Sequence, residues 1–342
     1  MRVGIIGAGI MGHAHAGVVN DYHRSRVVAV ASGSLASAEA LATTCPGARS
    51  YADYEQLLAD PAVDLVCIAV PDHRHADVVG VAAQAGKHII VEKPFTTDVA
   101  GADRALRAVR QAGVKAMTLF NHRWVPAYAQ AQERIAAGEI GAPVLGYARK
   151  NDWIYVPTEM LDWAASTTAA WFLSSHDLDL LCWWFDDEAV EVYATAVTRV
   201  LRARGIDTPD AIQAQVRFRG GAVATVEACW IYPNTFPTMT DSFMEVIGTD
   251  GVIHLDRKRE QIEIATHQAF SYPRNLLMAN LHGRQYGAVR NAICHVIDCV
   301  LDDQEPLVTL ESSRHVTAIL AAIHESLASG QPARVAPARE EA

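Results

Sequence analysis

A strand that runs straight into spaced glycines, Arg2-Val3-Gly4-Ile5-Ile6 followed by Gly7-Ala8-Gly9-Ile10-Met11-Gly12, leaves this chain few folds to choose from. In such a pattern the first glycine allows a tight turn and the second lets backbone approach a pyrophosphate. The third lets the following helix pack close to the strand. N–H groups at the start of that helix then face the phosphates. The chain supplies the alternation this turn needs. Val3–Ile6, Val27–Ala31, Leu65–Val70, His88–Val91 and Lys115–Leu119 read as short strands, with helical stretches near 11–20, 35–43, 53–59, 74–85 and 99–112 between them. That rhythm implies a parallel sheet covered on both faces, and the unbroken apolar run from Leu65 to Val70 fits burial on both sides. Residues 1–121 are therefore expected to form a dinucleotide-binding α/β domain.

After about residue 120 the alternation stops. Residues 124–137 read as helix and Val144–Ala148 as strand, while the aromatic-rich stretch from Trp153 to Trp171 shows no period. A helix is expected from His176 to Trp184, then strands at 189–199, 211–218, 222–230, 242–248, 251–255 and 261–265, with Gly220-Gly221 as a hairpin turn. Helices near 284–302 and 310–329 close the chain, and Pro332 onward reads as a loose end. Consecutive strands without intervening helices predict a second α/β domain, 122–335, with a mostly antiparallel open sheet.

The formal charge of −10, from 29 basic and 39 acidic residues, offers no basic surface to phosphate backbones or anionic membranes. No apolar run approaches the roughly 18 residues a membrane helix needs, and the chain begins directly on a strand rather than on a secretion signal. Six cysteines without C-x-x-C or zinc-like spacing read as small buried hydrophobes in a reducing compartment, so no metal site and a cytoplasmic location are expected. The end of the second strand, where an acidic residue usually binds the ribose of NAD, carries Ser32, Gly33 and Ser34. No carboxylate repels a 2′-phosphate and no arginine stands beside it, so NAD and NADP both remain open.

Further motifs follow in a fixed order: Val70-Pro71-Asp72-His73-Arg74-His75, Ala85-Gly86-Lys87-His88, Glu92-Lys93-Pro94, Asn121-His122-Arg123 and His176-Asp177-Leu178-Asp179. In order and spacing the chain resembles the Gfo/Idh/MocA family, named for glucose-fructose oxidoreductase and inositol dehydrogenase. The resemblance implies an N-terminal Rossmann domain, a C-terminal substrate-binding and oligomerisation domain, and a homodimer or homotetramer. It further implies hydride transfer between NAD or NADP and a secondary alcohol or ketone of a sugar, sugar derivative or cyclitol. Cofactor contacts are then expected from Gly7, Gly9, Ile10, Met11, Gly12, Ser32, Gly33, Val70, Pro71, His75, Glu92, Lys93 and Asn121.

Oxidising such an alcohol requires a base for the hydroxyl proton and an electropositive group at its oxygen. Lys93, at the end of a sheet strand, suits the second task. His176, whose imidazole titrates near neutrality, suits the first. Asp179, one turn further on, reads as structural. Among Trp153, Tyr155, Trp163, Trp171, Trp230 and Tyr232, flat rings able to stack on a sugar, Trp153 and Trp163 are the candidate substrate contacts.

One position departs from the family pattern: four residues before His176, where an inositol-dehydrogenase-like chain has a catalytic aspartate, stands Phe172. Lys93 and His176 then act as a pair, or another acid (Asp152, Glu159, Asp162 or Asp177) serves, or net redox chemistry is lost. The last option leaves two alternatives: a redox-neutral lyase or glycosidase acting through transient oxidation, and a non-catalytic sugar sensor.

Overall fold

In the computed structural model of the chain, which describes residues 1–337, strand β1 (Arg2–Ile6) is buried from Val3 onward and so belongs inside a sheet. It leads into α1 (Ile10–Asp21), β2 (Arg26–Ala31), α2 (Leu35–Ala42), β3 (Arg49–Tyr51), α3 (Tyr54–Leu58), β4 (Leu65–Ile68), α4 (His75–Gln84), β5 (His88–Val91), α5 (Val99–Ala112) and β6 (Ala116–Thr118). The six strands pair in parallel in the order β3-β2-β1-β4-β5-β6, the doubly wound Rossmann order. Side-chain caps start several helices where the sequence turns polar. Asp98 accepts from Gly101 N at 2.6 Å before α5, which ends on Gly113 at φ 65°. The edge strand β3 was not expected, because Arg-Ser-Tyr has neither an apolar run nor an alternation to announce it.

The rest of the chain adds α6 (Pro126–Ala136), β7 (Pro143–Trp153), α7 (Ser175–Phe185), β8 (Ala189–Val197), β9 (Ala211–Phe218), β10 (Val223–Tyr232), β11 (Thr240–Gly248) and β12 (Val252–Asp256). The short strands β13 (Ile264–Ala265), β14 (Phe270–Ser271), β15 (Ala279–Leu281) and β16 (Arg284–Tyr286) follow, then α8 (Ala288–Leu301), α9 (Leu310–Ser329) and β17 (Ala333–Arg334). A second sheet runs β12-β11-β7-β10-β9-β8-β17, antiparallel except for the β7–β10 pair. Alternation is clearest in β9 and β10. In β9, Ile212, Ala214, Val216 and Phe218 are buried while Gln213, Gln215 and Arg217 are exposed, so one face packs on helices and the other does not.

The chain divides into two units: Met1–Trp124 with Leu277–Arg314, and Val125–Leu276 with the chain from His315 on. The return of 277–314 to the first unit leaves no mark in the strand–helix rhythm. Several local expectations need correction. The strand expected at 261–265 shrinks to the exposed Ile264–Ala265, paired with Phe270–Ser271 outside the main sheet, because charged neighbours leave it no buried face. The helix expected from 284 begins at Ala288, after β16 and a Gly287 at φ 107°. The loose end expected from Pro332 instead adds Ala333–Arg334 to the edge of β8, and its remainder past 337 lies outside the described residues. In the stretch from Trp153 to Trp171 the hydrogen bond from Leu161 N to Val156 O (3.1 Å) spans five residues. Such a wide turn follows neither the helical nor the strand period.

The turn between β1 and α1 makes the sharpest demand on side-chain size. A Cβ on Gly12 would lie 1.8 Å from the Gly7 carbonyl oxygen, whereas one on Gly80, in α4, would meet nothing within 4 Å. Gly12→Ala is therefore expected to cost about 3 kcal/mol in chemical denaturation, while Gly80→Ala should be neutral or stabilise by up to about 1 kcal/mol. Equal effects would refute the close-approach account.

Candidate functional site

The C-terminal ends of the parallel strands, where ligand crevices form in such sheets, carry one group of candidate residues. Gly7 turns the chain at φ 106°, and a Cβ there would lie 2.2 Å from Ala69 O, so backbone alone fits between β1 and β4. Gly9 caps α1 without a side-chain hydrogen bond and has open space where a Cβ would stand. The first N–H groups of α1 thus stay available to an anion. Ile10 is 66 % exposed on that first turn, with Met11 half-buried beside it. Ser32 and Gly33 follow β2, and Gly33 is exposed. Asn121, just past β6, is buried, and its Oδ1 has no hydrogen-bond partner among the described residues. A glycine cradle, an uncapped helix start and an orphaned amide oxygen at one end of the sheet fit a dinucleotide.

Val70 and Pro71 follow β4, half-buried. His75 is 1 % exposed, with Nδ1 2.7 Å from Pro94 O and Nε2 3.0 Å from Val70 O. Glu92 and the half-buried Lys93 directly follow β5. Glu92 Oε1 accepts from His15 Nε2 at 2.9 Å. Burial alone would raise the Glu92 carboxyl, but His15 and Lys93 outweigh it and hold the group below the usual carboxylate range. Lys87, the other lysine of these motifs, is structural: its Nζ donates to the carbonyls of Asp60 and Val63 at 3.0 and 2.9 Å.

In the second unit, His176 lies on the first turn of α7 and is buried. Asp179 is wholly buried, and Asp177 forms an ion pair with Lys150 of β7, both side chains at most 3 % exposed. Burial pushes the Asp177 carboxyl above its ordinary range, and Lys150 pulls it part of the way back. Glu159 and Asp162 are exposed, while Asp152 is buried on β7 two residues beyond Lys150. Phe172 packs into an apolar cluster, its ring 6.5 Å from those of Trp163 and Trp230. Trp153 and Trp163 are both half-buried. Trp153 donates Nε1–H to Phe236 O at 3.0 Å, whereas Trp163 packs on Phe172. Trp230 is core, and Trp171 stacks on His324 at 5.1 Å. Sequence reasoning missed the roles of His15 and Lys150. The only signal for Lys150 was scarcity, since the chain has five lysines.

Comparison with known proteins places both halves. Residues 1–120 match the oxidoreductase family with an NAD-binding Rossmann fold, and residues 128–254 match the GFO/IDH/MocA C-terminal domain. The levoglucosan dehydrogenase of Pseudarthrobacter phenanthrenivorans is 30 % identical over 79 % of this chain and 77 % of its own. The chain belongs to the Gfo/Idh/MocA family. Another member, the NAD(+)-dependent scyllo-inositol 2-dehydrogenase of Bacillus subtilis, is 29 % identical over 90 % of this chain and 89 % of its own. The fold is also that of scyllo-inositol dehydrogenase from Lactobacillus casei, solved with NAD(H) and scyllo-inositol. That structure aligns at TM-score 0.84 and 20 % identity over 98 % of this chain and 99 % of that one. As a Gfo/Idh/MocA protein with an NAD-binding Rossmann unit, the chain is an NAD-dependent oxidoreductase of the inositol and sugar dehydrogenase group.

Asp177 directly follows His176 in sequence, and the stability role of its pair with Lys150 is separable from chemistry. Lys150→Met strands a buried carboxylate and should cost about 3–5 kcal/mol at neutral pH. The sign follows from the buried carboxyl, whose pKa rises further without its partner. Asp177 then binds a proton more tightly folded than unfolded, so the penalty is smallest at acid pH and grows as pH rises through the usual carboxylate range. A pH-independent loss in thermal unfolding would contradict this.

Proposed function

We propose that this protein oxidises a secondary ring hydroxyl of a cyclitol or cyclic sugar. The observation that carries this reading is the position of Glu92-Lys93-Pro94 directly past β5, at the same end of the parallel sheet as the Gly7–Gly12 turn. There NAD, when bound, supplies the hydride acceptor. Lys93 holds the substrate oxygen and stabilises negative charge on it as the C–H bond breaks. His176 takes the hydroxyl proton. Asp152 is the acid we assign to the role that Phe172 does not fill. Asp177 is engaged by Lys150, and Glu159 and Asp162 face solvent. Trp153 and Trp163 offer ring faces to the substrate.

Absorbance at 340 nm tests the reading with scyllo-inositol, myo-inositol and levoglucosan, each with NAD and with NADP; the nucleotide preference reports on Ser32. Net NADH formation is expected with at least one polyol. Lys93→Ala should lower kcat/KM by about 10²–10³, and His176→Ala by about 10²–10⁴. Bound nucleotide and a chemically altered sugar without net NADH would replace the dehydrogenase by a redox-neutral reaction. Absence of nucleotide binding would end both readings.

We further propose a cytoplasmic homo-oligomer that pairs through the uncovered sheet face. All six cysteines are free thiols, and the exposed positions of β8 include Tyr193 and Val197, 45 % and 51 % exposed. Light scattering should show a dimer or tetramer that Tyr193→Glu with Val197→Glu disperses. A monomeric wild type would refute the assembly.

A further inference from the structure

Two histidines that the proposed reaction leaves unused grip the turn that carries Lys93. His15, on the second turn of α1 and 0 % exposed, donates Nε2–H to Glu92 Oε1 at 2.9 Å. Its Nδ1 has no hydrogen-bond partner among the described residues, so Glu92 is the ring's whole polar engagement. Glu92 then accepts the backbone N–H of Lys93 through Oε2 at 3.2 Å. From the other side comes His75, the first residue of α4, whose ring lies between the Pro94 and Val70 carbonyl oxygens at 2.7 and 3.0 Å. Both neighbours only accept, and a neutral imidazole has a single N–H. Burial keeps the ring's pKa below the ordinary histidine range despite the upward pull of the two carbonyls, Asp72 and Glu92. The ring is therefore neutral at pH 7, and the shorter contact assigns its proton to Nδ1, facing Pro94.

Residue 92 is thus tied to α1 and residue 94 to α4, with Lys93 between them. Apolar side chains would fill both buried positions at less desolvation cost, so the choice of histidine calls for a directional role. We propose that His15 and His75 are positioning residues that clamp the Glu92-Lys93-Pro94 turn and so aim the Lys93 ammonium at the reacting oxygen. The inference rests on the role proposed above for Lys93 and deepens it. The groups facing Glu92 are His15 from α1, Lys93 in its own turn, Cys67 from β4 and His75 from α4. Burial keeps the Cys67 thiol protonated and His75 neutral, so His15 and Lys93 alone hold Glu92 ionised.

An amide swap tests the clamp. The terminal nitrogen of glutamine stands as many bonds from Cβ as His Nε2, and that of asparagine as many as His Nδ1. His15→Gln and His75→Asn keep the donors assigned above and should each keep a higher kcat than the amide variant at the same position that loses the donor. His15→Asn and His75→Gln lose them and should lower kcat by about 10- to 100-fold, with little change in KM for NAD. In His15→Asn the acid limb of kcat should also move to higher pH, because Glu92 loses the bond that opposes its burial. A readout independent of turnover is acylation of Lys93 by acetic anhydride, followed by mass spectrometry against the other four lysines of the chain. It should run several-fold faster in the two disruptive variants, where the turn that carries the amine is no longer fixed from both sides. A merely structural role predicts that both amides behave alike at each position, in rate and in labelling, and that result would overturn the clamp. If wild type oxidises no polyol with either nucleotide, the dehydrogenase reading fails and the labelling pattern alone judges the clamp.

Discussion

The first helix leaves β1 at a distance only glycine permits. With no Cβ at Gly7 or Gly12, the carbonyls of Ala69 and Gly7 lie where side-chain atoms would otherwise sit, at 2.2 and 1.8 Å. That approach sets the direction of α1, and two consequences follow from it. The helix's first N–H groups emerge at the strand ends, uncapped by any side chain. A turn and a half later His15 meets Glu92, at the end of β5. The uncapped helix start and the setting of Lys93 therefore share one steric origin, since a shift of α1 would move both.

The second unit is organised by a different constraint, the burial of charge behind a sheet. Alternation along β9 and β10 sends apolar side chains to one face. At the end of β7 that apolar order gives way to Lys150, Asn151 and Asp152, all buried. Buried charges persist only when paired, and Lys150 answers Asp177 on α7. Phe172, by contrast, joins Trp163 and Trp230 in an apolar cluster. A carboxylate at position 172 would be poorly solvated there, so the departure from the family pattern is built into the packing around it. Any replacement acid has to come from another element, which is why β7, with Asp152, matters to the proposed chemistry.

How much of this was legible beforehand varied with the kind of signal. The parallel strands and their helices were readable because each is short, apolar and bounded by turn residues. The wide turns between Trp153 and Leu173 were not, because their hydrogen bonds follow neither period. Edge strands β3 and β17 were missed for a related reason: two or three residues at a sheet margin are too few to carry a hydrophobic pattern. Gly7 and Gly12 stood out because the close approach of backbone demands glycine there, and Gly9 and the Glu92-Lys93-Pro94 turn through the motifs they share with the family. His15 did not, since nothing in a helical histidine names a partner 77 residues away.

By itself, then, the sequence determined the two classes of sheet, the tight glycine turn after β1 and the placing of Lys93 past a strand, because these rest on local periodicity and steric need. Tertiary structure alone decided which buried charges meet, that His75 lies between two carbonyls, that Asp177 is held by Lys150, and that residues 277–314 return to the first unit. These depend on side chains brought together across long stretches of chain. A hydrogen bond or ion pair depends on distance and direction in space, and spacing along the chain specifies neither.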